Sequence, residues 1–168
     1  MRWRNAIGVG AVVAALALAG CGGGTKTSTS DGSATVAARD ITGVGRALTD
    51  PAGDTLYFAE QEQDGSIHCV DTCVRFWTPL TVAKGTKPTA GTGVAGSLAT
   101  VDRPDGSTQV IYDGKPLYTF TMDGGAGKAA GNGFKDNFGG TDFVWHAATV
   151  SGSASSAPDN DGGNGYGY

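Results

Sequence analysis

From about residue 39 onward, apolar and polar positions alternate in short runs broken by glycine-containing turns, the period expected of half-buried strands. Two nine-residue stretches carry the same punctuation: Leu48-Thr49-Asp50-Pro51-Ala52-Gly53-Asp54-Thr55-Leu56 and Val101-Asp102-Arg103-Pro104-Asp105-Gly106-Ser107-Thr108-Gln109. In each, proline presets φ at the first corner and glycine relieves the exit, so each predicts a hairpin turn. Asp113-Gly114, between Gln109-Val110-Ile111-Tyr112 and Pro116-Leu117-Tyr118-Thr119-Phe120, predicts a tight two-residue hairpin. The strand after it puts Tyr118, Phe120 and Met122 on one face. Asp123-Gly124 ends that strand, with the Asp123 carboxylate bonding nearby backbone amides.

An earlier run, Leu56-Tyr57-Phe58-Ala59-Glu60-Gln61-Glu62, imitates this strand, with Phe58 pointing opposite to Tyr57. A tryptophan segment closes each copy, Phe76-Trp77-Thr78-Pro79-Leu80 and Phe143-Val144-Trp145-His146-Ala147. The predicted fold is all-β and mostly antiparallel, with two pseudo-repeated β-meander units in one compact sandwich or barrel-like domain at 39–150. Repeat 1 covers about 39–84 and repeat 2 about 96–150, with Tyr57, Trp77, Tyr118, Phe120 and Trp145 central and one short helical turn between Cys73 and Trp77.

Outside that domain the pattern changes. Arg2 and Arg4 precede an uncharged apolar run from Ala6 to Ala19 that ends in Leu18-Ala19-Gly20-Cys21. The run is shorter than the roughly 20 residues a spanning helix needs, so 1–20 read as a lipoprotein signal peptide, cleaved before Cys21. Lipid on the Cys21 sulfur anchors the chain at the extracytoplasmic face of the cell membrane, each buried methylene contributing about 0.8 kcal/mol. Residues 21–38, dominated after the cysteine by Gly, Ser and Thr, read as a flexible tether, and 151–168 as a disordered tail. Processing removes two of 12 basic residues and none of 16 acidic ones, so 10 stand against 16 and the mature chain is acidic. With no Lys/Arg cluster, nucleic acid is excluded as a partner; the membrane is met through the lipid, and the chain is expected to be a monomer.

Candidate chemistry is sparse. Cys69 and Cys73 in an exported chain predict a disulfide that pins the turn before Trp77. A copper or redox site remains the alternative, built from those thiolates with His68 or His146, the only two histidines. Asp123, Asn132, Asp136, Asn137 and Asp142 surround a glycine-rich excursion, yet lack the regular spacing of a calcium loop and read as turn residues. The glycines at 124–133 lack the Gly-Lys-Ser/Thr ending of a phosphate cradle. Glu60 and Glu62 read as a solvated strand edge, no Gly-x-Ser-x-Gly elbow occurs, and no catalyst is expected.

Arg103-Pro104-Asp105-Gly106, Gln109-Val110, Gly114-Lys115-Pro116-Leu117-Tyr118 and Asp123, with Leu56, Tyr57, the cysteine pair and Trp77-Thr78-Pro79-Leu80 earlier, run in a familiar order. In these residues the chain resembles bacterial secreted-repeat lipoproteins, which carry a Tyr-x-(Phe/Trp/Tyr)-x-x-Asp motif, typically in two copies. The second copy, Tyr118-x-Phe120-x-x-Asp123, follows the motif; the first departs from it at Ala59 and Glu62, and Thr78 stands where proline is frequent. The resemblance carries no settled activity; the lipid anchor and the lack of a catalytic constellation predict a non-catalytic, membrane-tethered extracytoplasmic module that binds or scaffolds a partner, with no cofactor. Kinship also associates the chain with breakdown of alkanes, with no catalytic residues attached.

Overall fold

A computed structural model describes residues 34–150; the expected signal peptide, the expected lipidation site Cys21 and the expected tail at 151–168 lie outside them. Eleven strands form among the described residues: β1 (Ala37–Ile41), β2 (Gly45–Thr49), β3 (Leu56–Ala59), β4 (Trp77–Pro79), β5 (Thr81–Val82), β6 (Leu98–Asp102), β7 (Thr108–Tyr112), β8 (Lys115–Pro116), β9 (Tyr118–Phe120), β10 (Lys135–Phe138) and β11 (Thr141–Ala147). Every named strand pair is antiparallel. The fold is all-β, in a hairpin β1-β2, a five-stranded sheet in the order β10-β11-β3-β9-β4, and a sheet β5-β7-β6 with β8 beside β7. Among the described residues no closed barrel forms.

The two proline turns close identically. Gly53 N–H donates to Asp50 C=O at 3.0 Å and Gly106 N–H to Arg103 C=O at 2.9 Å, and the turns are clasped again by Asp50 N–H to Asp54 C=O and Arg103 N–H to Ser107 C=O. Both glycines sit at positive φ, +93° and +82°, where a side chain is strained, so the glycine of each turn is required by its backbone. Asp113 and Gly114 are both left-handed, at +47° and +84°, the conformation a two-residue hairpin matched to strand twist demands.

The repeats are not two separate meanders. The five-stranded sheet interleaves β3 and β4 of the first with β9, β10 and β11 of the second. Its register has a local two-fold relation: Tyr57 lies opposite Tyr118, Trp145 opposite Ala59, and Trp77 opposite Phe120. Rotation that exchanges the tyrosines therefore also exchanges the tryptophan strands. Each tryptophan strand pairs with the tyrosine strand of the other repeat, a non-local choice that hydrophobic period alone does not encode.

Alternation along the central strands fills two cores. Tyr57, Ala59, Tyr118, Phe120, Phe143 and Trp145 face one cluster, while Leu56, Leu117, Val110 and partly buried Phe58 belong to the other. Three expectations need correction. The domain begins before residue 39: Val36 and Ala37 are buried, and Thr35 and Val36 N–H both donate to Thr89 C=O, so the end of the assigned tether is folded. Met122 leaves the core face and is 53% exposed, because Asp123 N–H turns back to Phe120 C=O and ends the alternation. Finally, β10 arises from a polar Lys-Asp-Asn-Phe sequence that carries no strand signal of its own.

Candidate functional site

The motif residues are joined across the repeats. Tyr57 of the first copy donates its hydroxyl to Asp123 of the second, at 2.9 Å to Oδ1 and 2.7 Å to Oδ2. Asp123 also accepts the Gly131 N–H at 3.2 Å, so its amide partner comes from the glycine-rich loop and not from its own strand end. Burial, and then the Asp123 carboxylate, push the Tyr57 hydroxyl far above its ordinary pKa. Burial likewise raises the Asp123 carboxyl, against the opposing pull of the tyrosine bond.

The related pair is Tyr118 with Glu62. Burial, then the adjacent Glu62 charge, raise the Tyr118 hydroxyl above its ordinary range, with Arg103 pulling the other way. Glu62 does not form the solvated edge expected of it: it is fully buried at the end of a 3-10 turn, Glu60–Glu62. Its Oε1 accepts His68 N–H at 2.6 Å and Cys69 N–H at 2.7 Å, while Oε2 closes no hydrogen bond of good geometry, with Tyr118 included. Buried Arg103 completes the cluster, donating to the Tyr118 hydroxyl at 3.3 Å, to Cys69 C=O at 2.7 Å and to Gln109 Oε1. The longer Glu arm in the degenerate first motif therefore has a physical use: it reaches the amides of the cysteine loop.

That loop is closed by a Cys69–Cys73 disulfide, Cα atoms 5.3 Å apart, followed by the short helical turn Cys73–Arg75. Both sulfurs are thus engaged with each other. His68 is exposed, whereas half-buried His146 holds Glu60 at 2.7 Å. Among the described residues no cluster of three or more His, Cys, Asp or Glu side chains is placed to hold a metal ion.

Above the tyrosines the two tryptophans stack, ring centroids 3.8 Å apart and 9° from parallel. Phe120 covers the other face of Trp77 at 4.1 Å. Asp136 receives both indole N–H groups, Trp77 at 2.8 Å on Oδ2 and Trp145 at 3.0 Å on Oδ1. One carboxylate on β10 therefore stitches edge strand β4 to β11, and Phe76 stacks on Phe138 beside it at 5.7 Å. The other loop acids and amides are similarly occupied: Asn137 donates to Asp142 and Asn132 accepts the Ala147 N–H.

An open groove of about 250 Å³ lies over this stack, lined by Phe76, Phe120, Met122, Phe134, Asp136 and Phe138. Phe76, Met122 and Phe134 are the three large apolar side chains that stand exposed among the described residues, and all three are in it. Asp136 spends an oxygen on each indole, which leaves the groove almost wholly apolar. Sequence reasoning found Tyr57, Tyr118, Phe120, Asp123 and the tryptophans but missed Glu62, Arg103, Gly131 and Asp136 as participants. The family-like Arg-Pro-Asp-Gly was a usable signal for Arg103; Asp136 has none, since its partners are set by strand exchange.

Residues 99–149 match a family described as a secreted repeat of unknown function. That segment is similar to the secreted repeat. Neither a curated protein nor a solved structure matches the chain. The matched secreted repeat takes in Tyr118, Phe120, Asp123, Asp136 and Trp145, while Tyr57, Glu62 and Trp77 fall outside it. Membership of those three in a related unit rests on the two-fold register and on the tyrosine pairing.

Proposed function

We propose that this secreted-repeat protein is a lipid-anchored, extracytoplasmic and non-catalytic binding module, tethered through Cys21, that grips an apolar segment of another envelope protein in the aromatic groove. The observation that carries the reading is the convergence of Phe76, Met122 and Phe134 on one groove over a bonded scaffold. Exposed apolar side chains gathered in one place mark interaction surfaces, while singly scattered ones do not. The groove offers next to no polar group to orient a small molecule, whereas an aromatic or aliphatic side chain from a protein partner is held by packing alone. Support for a non-catalytic role comes from the motif itself: the tyrosines and tryptophans are buried against one another, and raised tyrosine pKa values make poor proton shuttles at neutral pH.

Two measurements test the two halves of this reading. Radiolabelled palmitate is expected to enter the wild-type chain and not Cys21→Ser; equal labelling of both refutes the anchor. A photo-crosslinking residue at Met122, used in intact cells, is expected to give one discrete envelope-protein adduct that disappears in Phe76→Ser and Phe134→Ser. An adduct indifferent to both substitutions, or no discrete adduct, refutes the groove as the binding surface.

A further inference from the structure

On the opposite side of the central sheet a second cleft has a different chemistry. Phe58 and His146 are register partners on β3 and β11, their rings 5.6 Å apart and tilted by 31°. Lys115, from the tight Asp113-Gly114 hairpin, places its ammonium 4.7 Å from the Phe58 ring centre. These three side chains wall a cleft of about 180 Å³ whose floor includes Leu117, Ala147 and Ala148. The aromatic groove shares no lining residue with it.

The structure assigns to this cleft the binding of a small one-ring carboxylate, a role independent of the protein-binding reading above. Size sets the first constraint: a cavity of roughly 150 Å³ holds a benzene ring, so about 180 Å³ admits one ring with a compact substituent. Wall chemistry sets the second. Phe58 already receives the Lys115 cation on its face, which disfavours a cationic guest. His146 Nε2 is paired with Glu60 at 2.7 Å. The Lys115 ammonium is a donor with no ion-pair partner among the described residues. A cationic donor above an apolar floor calls for acceptor oxygens on an apolar body, which is the build of an aromatic acid.

Benzoate and its neutral counterpart benzyl alcohol separate charge recognition from simple apolar filling. Titrated into the full mature protein in detergent, benzoate is expected to shift the amide resonances of Phe58, Lys115 and Ala147 saturably, with benzyl alcohol at least tenfold weaker. Lys115→Gln is expected to weaken benzoate about tenfold, while Phe134→Ser, on the other groove, leaves it unchanged. Absence of saturable benzoate shifts at these residues, or equal binding of the alcohol by the wild-type protein, overturns the proposal whatever the variants do. A folded Lys115→Gln that binds benzoate as tightly as the wild type overturns it too.

Discussion

Replacing Gly131 by alanine adds one methyl group at the most crowded point of the aromatic scaffold. Its Cβ would stand 2.8 Å from Trp77 Cη2, 3.0 Å from Tyr57 Cε1 and 3.1 Å from Phe120 Cδ1. None of those rings is free to give. Trp77 is held between Trp145 and Phe120 and by its indole bond to Asp136, and Tyr57 is fixed by both oxygens of Asp123. The loop must move instead, which lengthens the Gly131 N–H bond to Asp123 from 3.2 Å. Overpacking of this kind costs about 1–3 kcal/mol, and a weakened bond to a carboxylate adds to it. Against this, alanine narrows the unfolded ensemble and returns about 0.4–1 kcal/mol. The φ of Gly131 lies outside the left-handed region, so no backbone penalty enters. The balance is a loss of about 2 kcal/mol, read as a lower urea midpoint with unchanged slope in tryptophan-detected unfolding. A Gly131→Ala protein as stable as the wild type would refute the claim that this contact is rigid.

Tyr57→Phe leaves the Asp123 carboxylate one donor short, and a loss of about 1–3 kcal/mol is expected at pH 7. Asp123 already titrates above its ordinary value through burial, so the folded state binds its proton more readily than the unfolded chain does, and this group's contribution to stability falls as pH rises through that window. Removing the tyrosine raises the carboxyl further; the gap between wild type and Tyr57→Phe should therefore narrow from pH 7 to about pH 4.5, and a pH-independent gap in urea melts contradicts it. Asp136→Asn retains one acceptor oxygen for two indoles, which predicts a loss of about 1–3 kcal/mol and an altered tryptophan emission spectrum; unchanged emission and midpoint count against the double bond. Reducing the Cys69–Cys73 link, which closes a very short loop, is expected to cost about 2 kcal/mol by chain entropy, and calorimetry with and without reductant measures it.

Local chemistry was legible wherever it was decided within a few residues. The Asp50-to-Gly53 and Arg103-to-Gly106 turns, the Asp113-Gly114 hairpin and the alternation of Tyr57 with Phe58 all follow from steric rules that act on neighbours. Met122 was misplaced because period two was carried one residue pair past the turn that ends β9. Glu62 read as an edge residue because charge normally stays in water, and only the amides of His68 and Cys69, brought close by the disulfide loop, make its burial tolerable. The exchange of tryptophan strands between repeats lay beyond the sequence pattern, since either pairing satisfies the same alternation. With the exchange went the role of Asp136, whose polar strand gains its place only from the two indoles that it binds.

The central claim is that the motif tyrosine of one repeat is satisfied by the motif acid of the other. Double-mutant cycles test this by comparing Tyr57→Phe with Asp123→Asn, across the repeats, and Tyr57→Phe with Glu62→Gln, within the first copy. Contacting pairs couple by about 0.5–3 kcal/mol and separated pairs add within about 0.5 kcal/mol. The predicted result is coupling of at least about 1 kcal/mol for Tyr57 with Asp123 and near-additivity for Tyr57 with Glu62; the reverse order would contradict the exchanged architecture.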